Sequence, residues 1–172
     1  PFSFSEFQLG YKSKFPNYNL DLPSLYTKYI TYGGFPYLHK IYEEKEIIKD
    51  YLQGLYSTIV LKDIQQRKKI TDTLLLEKIV KFALQNTGNL LSPKKICDTF
   101  VSSGKKTSPA MVENCLSSLC ETFLFYKINR YDVKGKEILK TLEKYYAVDV
   151  GLRFFMLGAK SGDEGHILEN MI

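Results

Sequence analysis

Five lysines, Lys105 and Lys106 followed by Lys134, Lys136 and Lys140, are the side chains whose type and grouping suit a recurrent chemistry, the neutralisation of phosphate. They flank a segment, 109–122, whose outward positions on a helix would be Glu113, Asn114, Ser117, Ser118 and Glu121. A helix that reads base edges presents Arg, Lys, Asn or Gln. This segment holds no Lys or Arg, and its two carboxylates would repel a phosphate backbone. The face therefore reads as a protein-docking surface. The five lysines remain candidate phosphate or nucleic-acid contacts, against the simpler reading that they are solvated turns.

Other chemistry is sparse. Cys97, Cys115 and Cys120 sit in apolar stretches, and neither their odd number nor their spacing makes a disulfide framework or a zinc site. They read as small buried apolar residues, a usage that suits a reducing cytoplasm. His39 and His166 are far apart and each lacks a nearby Cys or second His, so no metal site is expected. Gly33-Gly34 lacks the Lys-Ser/Thr of a phosphate loop and reads as a turn. Asp149 precedes an apolar segment and reads as a helix N-cap, not as a catalytic carboxylate lacking a partner. Thirteen tyrosines without a tryptophan suggest core and boundary packing more than base stacking. No catalytic, cofactor-binding or metal-binding residue is assigned, and no cofactor is expected in these residues.

The elements that must position these residues are mostly helical. Residues 1–24 read as an extended end followed by loop, and Ser24 as the cap of a short helix to Tyr32. Residues 44–68 carry an apolar stripe stepping by three and four, the mark of an amphipathic helix. Thr71 or Asp72 caps the next helix, stopped by Gly88. Ser92-Pro93 and Ser108-Pro109 each pair an N-cap with Pro at the first helical position. The helix after Ser108 buries Val112, Cys115, Leu116, Leu119, Cys120 and Phe123. Residues 123–131 and 145–148 read as strands, with the lysine-rich stretch 132–144 between them as a wing. The expected fold is mainly α with a small β ribbon: a helical region followed by a winged-helix (helix-turn-helix) domain over 89–158.

The 172 residues carry a net charge of +5, with 44% hydrophobic and 25% charged residues. That composition excludes a disordered or fibrous chain. Within 92–148, ten basic residues face six acidic ones, so most of the surplus lies around the presumed wing. No apolar run reaches the roughly 18 residues of a membrane span, and a cytoplasmic location is expected. Pro at position 1 and a helix just beginning at His166 suggest a piece of a longer protein.

Six segments in order carry a family resemblance: Pro1-Phe2-Ser3-Phe4-Ser5-Glu6-Phe7, Tyr32-Gly33-Gly34-Phe35-Pro36, Ile59-Val60-Leu61-Lys62-Asp63-Ile64, Ser108-Pro109, Tyr146-Ala147-Val148-Asp149-Val150-Gly151-Leu152, and Gly165-His166-Ile167-Leu168-Glu169-Asn170. Together they resemble the carboxyl-terminal region of prokaryotic AAA-type ATPases, a domain of unknown function following a P-loop domain. Tyr37 and Lys62 depart from that pattern, standing where the family often has an acid and an Arg. The resemblance implies a remnant of the ATPase core end and helical lid over 1–40, a helical linker over 41–88, the winged helix, and the start of a truncated restriction-endonuclease-like domain over 159–172. Glu169 would match one acid of that nuclease-like domain. It also implies ATP and Mg for a full-length parent but not for these residues. The candidate partners are then the parent's own amino-terminal ATPase domain, another protein, or nucleic acid. The implied function is a non-catalytic accessory module that docks on protein, with phosphate contact through the wing as the alternative.

Overall fold

A computed structural model describes residues 1–17, 20–42, 44–65, 70, 72–132, 137–158 and 164–171. These form two compact units: one built from residues 1–57 and 148–172, the other from 58–147. Among the described residues the chain is mainly helical, with eight α-helices and one three-stranded antiparallel sheet.

The first unit begins with α1 (Phe4–Lys14), where an extended end was expected. The Ser3 side chain accepts from the Glu6 N–H and the Glu6 carboxylate accepts from the Ser3 N–H, a reciprocal capping box. Phe7 and Tyr11, four apart, are buried, so the alternating Phe and Ser at the start marked a helix and not a strand. Asp21, not Ser24, caps α2 (Leu22–Tyr32), accepting from the Ser24 N–H at 3.0 Å. A 3-10 turn (Pro36–Lys40) leads to α3 (Lys45–Tyr56). The single helix expected over 44–68 is α-helical only to Tyr56, then π-helical over Ser57–Ile64. After the second unit the chain returns as α7 (Val150–Leu157) and α8 (Glu164–Met171). Helix α2 packs on α7, and Phe7, Tyr11, Leu25, Tyr29, Leu38, Tyr42, Ile48, Leu52 and Val150 form one core.

The second unit carries, in order, α4 (Thr73–Gln85), β1 (Leu90–Leu91), α5 (Pro93–Ser102), α6 (Pro109–Glu121), β2 (Phe125–Asp132) and β3 (Glu137–Ala147). Asp72, Ser92 and Ser108 each cap the helix they precede, as their sequence signals require. The sheet order is β1-β3-β2, all antiparallel. Two features differ from the sequence expectation: the two-residue β1, and the length of β3, whose residues 137–144 are strand and not wing. Period-two burial orients the sheet. Leu91, Phe125, Tyr145 and Ala147 are buried, whereas Leu90, Tyr126 and Ile128 are exposed on the other face, where the register places Lys144 beside Leu90 and Ile128. On α6 the stripe Val112, Cys115, Leu116 and Leu119 is buried as expected, but Phe123 is 71% exposed. Phe123 lies past the helix end with φ 56°, which turns its side chain out of the stripe.

Candidate functional sites in the helix-and-sheet unit

Helix α6 decides the docking face. Glu113, Asn114, Ser117 and Glu121 are exposed, but Ser118 is buried and does not belong to that face. Its hydroxyl donates to the Asn114 carbonyl at 2.6 Å, one turn back, which satisfies it inside the packed side of the helix. Ser117 donates to the Glu121 carboxylate at 3.2 Å. The first turn of α6 forms one wall of a groove of ≈540 Å³. Its other walls are the first turn of α5 and the strands β1 and β3, and its floor is Leu91, Pro93, Pro109, Ala110 and Leu142. Three charged side chains line it: Lys94, Glu113 and Glu143. Glu143 is already held, by the Lys127 ammonium at 3.0 Å and by the Tyr145 hydroxyl, which donates at 2.6 Å. That pairing raises the pKa of Lys127. Glu113 and Lys94 therefore carry the groove's charge toward a ligand.

The basic residues fall in three places. Lys105 and Lys106 are exposed in the turn between α5 and α6. Helix α5 ends in a Schellman arrangement: Gly104 takes φ 79°, its N–H donates to the Val101 carbonyl, and the Lys105 N–H donates to Phe100. That bond fixes the Lys105 backbone. Lys140 lies on β3, while Lys134 and Lys136 fall outside the described residues. The fold adds a lysine that sequence reading missed. Lys78, on α4, lines a pocket of ≈230 Å³ together with Lys105, Lys106, Asp72, Leu74 and Leu75. Contact with the Lys105 side chain, then loss of solvent and the Lys105 charge, lowers the Lys78 pKa, and Asp72 only partly opposes this. Spacing from Asp72 places Lys78 less than two turns into α4, but nothing local pointed it at the 105–106 turn.

The cysteines are structural in position. Cys97 and Cys115 are buried, Cys120 is partly buried, and all three are free thiols. Burial pushes the Cys115 and Cys120 thiols up to about 11, away from thiolate chemistry at neutral pH. Among the described residues no group of three or more His, Cys, Asp or Glu is placed to hold a metal ion.

In the first unit Asp149 is the N-cap of α7, as its sequence context indicated. One carboxylate oxygen accepts from the Leu152 N–H at 2.9 Å, and the other from the Gly34 N–H at 2.8 Å. Burial raises its pKa against the pull of those backbone donors. Gly33 has φ 87°, and a Cβ there would overlap the Asp149 carboxylate; a Cβ on Gly151 would overlap the Tyr32–Gly33 backbone. The glycine turn is thus a tight joint and not a phosphate loop. His39 packs among the rings of Phe2, Phe7 and Tyr42, at 5.0, 5.7 and 5.1 Å between centroids. Both its ring nitrogens are buried without a hydrogen-bond partner, and burial lowers its pKa.

Residues 23–163 match the family described as a domain of unknown function (DUF8612), and the chain belongs to that family. It is 37% identical over all 172 residues to an uncharacterized protein of Haemophilus influenzae, of whose length it spans 42%. No solved structure matches. These findings overturn the resemblance to AAA-type ATPases drawn from the six short segments: the family matched over most of the chain is the domain of unknown function, and the relative is described only as uncharacterized. The ATP, the Mg and the ATPase-domain partner rested on that resemblance alone and lose its support. Among the described residues no helix is long and apolar enough to cross a membrane.

Proposed function

We propose that residues 58–147 are a winged-helix module that docks on another protein. The element order supports this reading: three helices with a short strand after the first, then a β-hairpin whose second strand lies centrally in the sheet. The observation that carries it is the groove beside α6. Its floor is apolar, and Glu113 supplies a carboxylate where a nucleic-acid reader needs a cation. A protein segment with apolar side chains around one basic residue fits these walls, the cation meeting Glu113.

A photo-crosslinking residue at Ser117 tests this in cells that express the chain. Docking requires one discrete adduct from Ser117, lost on Glu113→Lys, and none from the same residue at exposed Lys81 on α4. An adduct indifferent to Glu113→Lys, or equal labelling from both positions, rejects the reading.

A further inference from the structure

Three lysines from two separate stretches of sequence meet at one concavity. Lys78 comes from the second turn of α4, and Lys105 and Lys106 from the turn after α5. Two ammonium groups brought together repel each other, and an exposed lysine on a flexible stem is free to swing away unless something holds it. Leu74 and Leu75, which also line the pocket, lie in the first turn of the 13-residue α4, whose partial positive pole adds to the same field. Asp72 is the one acid among the lining residues, and one of its oxygens is committed to the Leu75 N–H at 2.9 Å. A mobile surface track would string cations along a line. Here they line one concavity of ≈230 Å³, with room for a phosphate monoester or a diphosphate.

We infer that Lys78, Lys105 and Lys106 form a binding site for a compact phosphate anion, a phosphate monoester or diphosphate, at the start of α4. The bound oxyanion sits between the Lys78 and Lys105 ammonium groups, relieves their repulsion and accepts from both. Lys106 closes the third side. The site shares no lining residue with the Glu113 groove and does not rest on the docking reading.

The test is a titration of the whole 15N-labelled chain with sodium pyrophosphate, and separately with inorganic phosphate, at low and constant ionic strength. Saturable shifts confined to the amides of Leu74, Leu75 and Lys105 are expected, with pyrophosphate the tighter ligand. Lys78→Ala or Lys105→Ala should weaken binding about tenfold. Lys78→Arg should retain it, and Lys12→Ala, on α1 of the other unit, should leave it unchanged. The spectrum of each variant reports folding in the same sample. Equal shifts from sodium chloride, shifts spread over Lys94 and Lys95, or binding that survives the double substitution Lys78→Ala, Lys105→Ala each overturn the site. A short DNA duplex provides the second arm: duplex binding without pyrophosphate binding would mean a backbone-tracking surface and would also overturn it.

Discussion

Asp149 holds together two stretches of chain 115 residues apart in sequence through a bond to the Gly34 N–H, while it starts the helix that follows it. Asp149→Ala would leave two buried backbone donors unpaired, and a loss of about 2 kcal/mol or more is expected in urea unfolding. Asp149→Asn keeps one acceptor and should cost less. Gly33→Ala would add strain from a backbone conformation (φ 87°, ψ −173°) open essentially to glycine alone to an overlap with that same carboxylate, so it should destabilise by more than the roughly 1–3 kcal/mol that the dihedral alone costs. His39 gives a pH signature. Its folded pKa is lowered, so the unfolded chain binds the proton first as pH falls below about 6.5. Stability attributable to His39 is full above that value and is lost as pH drops toward the folded pKa, at no more than about 1.4 kcal/mol per pH unit. His39→Phe should flatten that slope in urea midpoints measured from pH 5 to 7.5; an unchanged slope would remove His39 as its source.

At the scale of elements, α5 and α6 end by the same device with different residues. Gly104 and Phe123 both stand in the left-handed region after their helices, each followed by a 6→1 bond, Lys105 N–H to Phe100 and Leu124 N–H to Leu119. Glycine adopts that conformation without steric cost, and phenylalanine does not. Phe123→Gly should therefore stabilise the protein by about 1 kcal/mol in thermal unfolding, offset in part by the freer unfolded chain. Removing an N-cap acts in the opposite direction: Ser108→Ala should cost about 1 kcal/mol. These signals also show what was legible beforehand. Ser92-Pro93, Ser108-Pro109 and Asp149 announced helix starts because capping is local chemistry carried by adjacent residues. Helix α1 announced itself equally, through Ser3 and Glu6, but the alternation of Phe and Ser drew attention to the wrong period. Strand β1 was beyond reach, since two residues show no periodicity and exist as a strand only through Lys144 and Glu143 opposite them. Likewise Ser117 and Ser118 are adjacent, chemically alike residues, and only the packing of α6 decides that one is exposed and the other buried. Lys78 belongs with Lys105 for a reason of the same kind: their meeting is a tertiary fact, carried by the packing of the helical unit and by no spacing along the chain.

Across the whole molecule, the first unit is discontinuous and the second is an unbroken stretch of ninety residues set between its two parts. The second unit carries its own buried residues, from Val60 to Ala147, and all three strands of its sheet. Residues 58–147 expressed separately should give a dispersed amide spectrum and a cooperative unfolding transition, whereas residues 1–57 alone should not, because Val150 and the Asp149 bond would be missing from their core. That arrangement imposes a schedule on the ribosome. When α3 emerges, Phe7, Leu25 and Ile48 have no Val150 to close over them, and ninety further residues must be polymerised before it arrives. At about 5–20 residues per second the wait is roughly 5–20 seconds, long compared with the folding of the inserted stretch itself. Through that interval the nascent amino-terminal helices stand as half-built apolar surface, open to whatever binds exposed hydrophobic side chains.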